Sequence, residues 1–193
     1  MSQTGRKICQ IVNEQQILDG ILNDFHNQLV KPFISILTQF IQNKINVQNY
    51  LVSFWKVSIN QHSSIAPEFF NGWKTLISNR RIKSEIFEQY SQALFDEISI
   101  SLTLPEAQGK EASLSFLNEI SSCASEPQKV NIFNALIQNS NLNCNIDLLS
   151  NTISFYMPKD SENIKEQIMK ESLEMIENNY NIHLALTLIT NLK

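Results

Sequence analysis

The first 97 residues place apolar side chains at helical spacing, which predicts about five helices in this half of the chain. The first helix is predicted over residues 8–29, and a second begins near Pro32 because proline restricts the residue before it. A third is predicted around 47–55, and Pro67 suits the first turn of a fourth. A fifth is predicted over residues 80–96. The pattern of residues 1–97 is therefore that of a helical bundle.

After the fifth predicted helix the apolar period shortens to two. Residues 98–104 alternate isoleucine or leucine with serine or threonine, and Pro105 ends the run. Such alternation is typical of a half-buried strand with a polar outer face. Two further helices are predicted beyond it, over residues 112–122 and 126–139.

The C-terminal quarter of the chain has the pattern of a small β-β-α-β unit. Residues 146–149 and 153–157 are predicted to form two short strands joined by a turn. A charged helix is predicted over about 160–178, and residues 182–189 are predicted to return as a strand. With the strand at 98–104, about four strands most simply share one sheet.

The predicted fold class is therefore α+β and helix-rich. An N-terminal helical bundle is followed by a small, mainly antiparallel sheet with covering helices, ending in the β-β-α-β unit. We predict a division into residues 1–97, the helical bundle, and 98–193, the α+β part. One continuous domain is the alternative.

Two resemblances follow from this order of elements. Residues 151–158, the charged helix and residues 180–184 resemble in outline the small C-terminal domain of the bacterial clamp-loader tau subunit, over about a quarter of the chain. The whole profile, which is small, acidic, mixed in α and β and rich in aromatic residues, is similar to that of secretion chaperones and adaptors. The second resemblance implies a protein-binding role.

Charge is divided unevenly along the chain, although the formal net charge is only −4. Residues 1–83 carry nine Lys and Arg against four Asp and Glu, whereas residues 84–193 carry six against fifteen. The basic and acidic parts could dock on each other or meet two different partners.

Cysteine usage and hydropathy bear on the compartment. Cys9, Cys123 and Cys144 lack paired spacing, which favours three reduced thiols in a reducing compartment. No apolar run approaches the roughly 18 residues that a membrane span needs, and no secretory signal pattern is present. We therefore expect a cytoplasmic protein without a membrane span.

The sequence contains no arrangement typical of catalysis. His26, His62 and His183 are isolated from one another, so no metal site is predicted. Gly109 and Lys110 lack the flanking residues of a phosphate-binding loop. We expect no catalytic residue, no metal and no cofactor, although a site assembled only in three dimensions stays open.

An aromatic cluster is the first candidate site. Phe54, Trp55, Phe69, Phe70 and Trp73 lie on the third and fourth predicted helices. One interpretation makes them the apolar lining of a groove that binds a partner protein, and the other makes them core.

A basic patch is the second candidate site. Lys74, Arg80, Arg81 and Lys83 surround the start of the fifth predicted helix. They could bind phosphates, or they could be solvated or contact the acidic half of the chain.

These patterns together favour a non-enzymatic adaptor or chaperone-like subunit that offers an apolar, aromatic-rich groove to another protein. The alternative is a nucleic-acid-associated factor that uses the basic patch. The sequence leaves the identity of the partner and homo-oligomerisation open.

Overall fold

A computed structural model of the chain describes residues 13–22, 25–138, 145–157 and 162–192. Every regular element within these ranges is a helix, and no strand occurs among them. The predicted α+β class is therefore wrong for the described residues, whose fold is all-helical.

The regular structure within the described residues consists of ten α-helices and two 3₁₀ turns. In chain order the α-helices are α1 (13–22), α2 (Val30–Gln42), α3 (Gln48–Ile59), α4 (Ala66–Ser78), α5 (Arg80–Thr103), α6 (Lys110–Ile120), α7 (Glu126–Gln138), α8 (Ile146–Tyr156), α9 (Glu162–Glu177) and α10 (Ile182–Asn191). Single 3₁₀ turns at Asn27–Leu29 and Ser121–Cys123 precede α2 and follow α6.

Helices α2 to α8 alternate between two rows, and α10 extends the first of them. In one row α2 contacts α4, α4 contacts α6, α6 contacts α8 and α8 contacts α10. In the other row α3 contacts α5 and α5 contacts α7, while α9 pairs with α10. Contacts that skip one helix in sequence are typical of an α-solenoid, in which helix pairs stack along one axis.

One apolar core runs between the two rows and is aromatic at its centre. Trp73 of α4 stacks on Phe54 of α3 with ring centroids 4.9 Å apart, and Phe116 of α6 lies 5.3 Å from Trp73. The indole N–H of Trp73 donates to Ser58 Oγ at 3.1 Å, so its polar atom is satisfied inside the core.

The strand predicted over residues 98–104 is the last part of α5. Leu94, Ile98 and Leu102 are buried one helical turn apart, whereas Ile100 is 59% exposed. A run that is apolar at every second position is also apolar at positions four apart. The same residues can therefore form the buried face of a helix. The predicted division at residue 97 falls inside this continuous helix.

The two strands predicted over residues 146–149 and 153–157 are the single helix α8. Leu149, Ile153 and Tyr156 lie on one helical face and are buried. Asn145 caps the helix, because its side-chain oxygen accepts a hydrogen bond from the Leu148 N–H at 3.1 Å. The turn predicted between the two strands is thus the middle of a helix.

The strand predicted over residues 182–189 is α10. Leu184, Ala185 and Leu188 are buried at helical spacing. The charged helix predicted before it is present as α9, and its predicted start near residue 160 lies outside the described residues. The clamp-loader resemblance rested on strand order, so it has no support in this structure.

Tyr156 fixes α8 against α6. Its phenol O–H donates to the Leu117 backbone oxygen at 2.7 Å in the core, and burial raises the pKa of this phenol well above its ordinary value.

We expect Tyr156→Phe to lower the free energy of unfolding by about 1–2 kcal/mol, because a buried carbonyl loses its donor. Urea unfolding measures this loss. Phe155→Leu is the neighbouring control at a 54% exposed position, and an equal loss there would contradict the assignment.

Candidate protein-docking groove

The aromatic cluster predicted to bind a partner lies in the core. Residue exposure is at most 2% for every member of the set, which is Phe54, Trp55, Phe69, Phe70 and Trp73. The rings contact one another and Phe116, so they hold α3, α4 and α6 together. None of the five lines an open groove in this conformation.

The basic patch is largely engaged within the chain. Lys74 Nζ lies 2.8 Å from Glu119 Oε1 and donates to Ser115 Oγ at 2.7 Å. Lys83 Nζ donates to the Glu119 backbone oxygen at 3.0 Å. Arg81 pairs with Glu85 at 3.2 Å, while Arg80 forms no ion pair among the described residues. A phosphate would have to compete with these contacts.

The basic and acidic parts of the chain meet at such contacts. Lys74 and Lys83 of the first part both reach Glu119 of α6, as described above. Lys56 of α3 also lies 3.1 Å from Glu97 Oε2 of α5. At these points lysines of the basic part contact glutamates of the acidic part within the same molecule.

An open groove with a volume of about 660 Å³ lies between α2 and α4. Its floor consists of Val30, Ile34 and Gly72, all buried. An added Cβ at Gly72 would lie 2.5 Å from Val30 Cγ1, so the missing side chain lets the two helices pack closely here. A volume of this size suits a small ligand or a short stretch of peptide.

Polar side chains form both rims of this groove. On the α2 side they are Asn27, Lys31, Ser35, Thr38 and Gln39, and on the α4 side they are Glu68, Asn71 and Thr75. The Thr38 and Thr75 hydroxyls donate to carbonyls of their own helices. The side chains of Asn27, Ser35 and Asn71 form no hydrogen bond with any described residue. Their donors and acceptors are therefore open to solvent or to a ligand.

Charge around the groove is balanced. Lys31 on one rim and Glu68 on the other are its charged residues, and neither forms an ion pair with another described residue. The groove can therefore hold an uncharged ligand without leaving a net charge against an apolar floor. We name the site the α2–α4 groove.

Sequence reasoning missed this groove, although a signal for it was present. Asn27, Lys31, Ser35 and Gln39 follow one another at intervals of four, beside the buried stripe of α2. A polar stripe at that spacing marks one flank of a helix. The second wall could not be identified without knowing that α4 lies against α2.

Other candidate chemistry stays dispersed. Within the described ranges, no three His, Cys, Asp or Glu side chains converge as metal ligands would. His183 lies 3.7 Å from Asp147, and His62 contacts Ser64. These two pairs are far apart from each other in the sequence. Lys110 is 98% buried, since its residue exposure is 2%, and burial lowers the pKa of its ammonium group, partly offset by Glu106. Gly109 packs against the backbone of Ser58 and Ile59.

None of the helices within the described ranges combines the length and the apolarity that a bilayer crossing requires. Comparisons with protein-family models, with curated proteins and with solved structures gave no match to this chain.

Proposed function

We propose that the protein is a non-catalytic adaptor subunit that binds an extended segment of another protein in the α2–α4 groove. The observation that carries this proposal is an apolar floor bordered by the side chains of Asn27, Ser35 and Asn71, which form no hydrogen bond with any described residue. The stacked helix pairs support it, because such stacks present long continuous surfaces to their ligands.

The chemistry of the rims favours a peptide over other ligands. An extended peptide has unpaired N–H and C=O groups along its backbone, and Asn and Ser side chains supply both donors and acceptors. Val30 and Ile34 would receive one apolar side chain of the peptide. Lys31 and Glu68 would orient the segment, since opposite charges on opposite rims favour one direction of binding.

A peptide selection tests this proposal. A random peptide library displayed on phage is selected on the full chain, and the enriched peptides are synthesised and measured by fluorescence anisotropy. We expect peptides with an apolar anchor and little net charge. Because Ser35 is exposed on a rim, Ser35→Trp should fill the groove and weaken binding at least about tenfold, or about 1.4 kcal/mol.

The matched control is Ser84→Trp, which adds the same side chain at an exposed serine of α5 outside the groove. This variant should keep wild-type affinity, and both variants should keep the wild-type melting curve. Selection of no peptide, or equal weakening by both variants, would refute the proposed site. Binding only of small molecules that Ser35→Trp blocks would replace the peptide with a different ligand.

A role in secretion and the cytoplasmic location are part of this proposal, and the half-buried free thiol of Cys123 is compatible with a reducing compartment. The nucleic-acid alternative stays a prediction. Oligonucleotide binding that falls steeply with salt, and that is lost on reversing Arg80 and Arg81, would support it.

A further inference from the structure

One wall of the α2–α4 groove carries a regular row of polar side chains. Lys31, Ser35 and Gln39 follow one another at intervals of four on α2, and Asn27 continues the row in the 3₁₀ turn before this helix. All four residues are exposed, and none of their side chains forms a hydrogen bond or an ion pair with a described residue. The row therefore offers donors and acceptors at regular intervals along one edge of the groove.

The interval of this row matches the repeat of an extended peptide. Four residues of an α-helix advance about 6 Å along its axis, because the rise is about 1.5 Å per residue. Two residues of an extended chain advance about 6.6 Å, and successive residues point to opposite sides. Every second residue of a peptide lying along the row would therefore meet the next rim side chain. The difference of about 0.6 Å per step is small enough for long side chains such as Lys31 and Gln39 to absorb.

A helical ligand would leave this row largely unused. The backbone N–H and C=O groups of a helix bond to one another, apart from those at its two ends. An extended backbone keeps a donor and an acceptor open at every residue except proline. From Asn27 to Gln39 the row spans about 18 Å, which corresponds to about five or six residues of an extended chain.

We propose that the α2–α4 groove binds the main chain of its partner in a fixed register. An extended segment of about six residues lies along the row on α2, and the rim side chains bond every second residue of its backbone. Ser35 Oγ and Gln39 Oε1 accept from N–H groups that are two residues apart, and Lys31 Nζ donates to a C=O group two residues further along. This inference rests on the proposed function and adds to it the register of the bound segment.

The selectivity of the groove follows from this register. Backbone groups are common to all sequences, so the row selects an extended conformation and no particular side chain. Proline lacks an N–H, and it is therefore excluded from the positions that face Ser35 and Gln39. One apolar side chain over Val30 and Ile34 supplies the side-chain preference. The partner segment is thus a stretch with one apolar anchor, no secondary structure of its own and no proline at those two positions.

The test couples single backbone changes in a peptide to single side-chain changes in the groove. The probe is the tightest-binding peptide from the phage selection, synthesised as a series in which one amide nitrogen at a time is methylated. Each methylation removes one N–H donor, and the loss of a hydrogen bond to the rim should weaken binding to the full chain at least about fivefold. Ser35→Ala and Gln39→Ala should each abolish the sensitivity to methylation at one position, and these two positions should be two residues apart. Comparing each peptide on the wild type and on the variant cancels the effect of the added methyl group itself.

The matched control is Gln42→Ala. Gln42 is exposed on the same helix as Gln39 but does not line the groove. This variant should bind every peptide of the series as the wild type does.

The outcomes distinguish the register from the proposed function. If Ser35→Trp blocks a peptide whose sensitivity to methylation neither alanine variant changes, the register is overturned while the groove stays the binding site. Coupled positions that are adjacent, or three or more residues apart, would also overturn the register. Selection of no peptide, or a peptide that Ser35→Trp does not weaken, would refute the register and the proposed function together.

Discussion

Replacing Trp73 by alanine is expected to lower the free energy of unfolding by about 4 kcal/mol, because the change removes a fully buried indole from the centre of the core. The side chain stacks on Phe54 at 4.9 Å and lies 5.3 Å from Phe116, so its loss opens a cavity between α3, α4 and α6. The loss of the indole N–H also removes the hydrogen bond that Ser58 Oγ accepts from it. Urea unfolding followed by circular dichroism measures the change.

Two variants qualify this result. Trp73→Phe keeps most of the ring contacts and should lose clearly less stability than Trp73→Ala. Ile100→Ala removes an apolar side chain that is 59% exposed and should change stability by no more than about 0.5 kcal/mol. A loss below about 1 kcal/mol for Trp73→Ala would show that the aromatic cluster is not the core that the structure describes.

The helices predicted in residues 33–96 are present because each has one apolar stripe at helical spacing. Phe33, Leu37 and Phe40 illustrate this on α2, where all three are buried. Pro67 is in the first turn of α4, as its fixed backbone angle predicts. In this half of the chain local pattern and tertiary packing agree, so the sequence sufficed for the elements.

The predicted sheet failed because short apolar runs satisfy two periods at once. In α10, residues 182, 184, 186 and 188 are all apolar, which matches a strand, yet 184 and 188 are also one helical turn apart. The structure distinguishes the helical period from the strand period by exposure, since Leu184 and Leu188 are buried whereas Leu186 is 53% exposed. That exposure depends on where α8 and α9 lie, which a window of eight residues does not contain.

The same dependence on tertiary packing separates the predicted sites from the observed groove. Aromatic residues were predicted as an interface because of their number, but the two rows of helices bury them. The α2–α4 groove is formed by small and polar residues such as Ser35, Asn71 and Gly72, whose positions become meaningful only once α2 packs on α4. Composition favours aromatic anchors, whereas this groove depends on a missing side chain.

Gly109→Ala is expected to lower the free energy of unfolding by about 3 kcal/mol, because the added methyl group meets backbone that cannot move aside. A Cβ at this position would lie 2.8 Å from the Ser58 carbonyl oxygen and 2.9 Å from that of Ile59. Both carbonyls belong to the last turn of α3, and the Gly109 N–H donates to Ile59 O at 2.8 Å. Relieving the overlap would separate α6 from α3 and break this hydrogen bond.

Gly20→Ala is the matched control for this prediction. Nothing lies within 4 Å of a Cβ built at Gly20, which is in the helical stretch 13–22. Alanine is preferred over glycine inside a helix, so this variant should gain up to about 1 kcal/mol. The two substitutions are chemically identical and should shift the urea midpoint in opposite directions.

If Gly109→Ala were as stable as the wild type, the close approach of α6 to the end of α3 would be wrong. Gly109 is the N-cap residue of α6, so this approach sets where α6 begins against the last turn of α3.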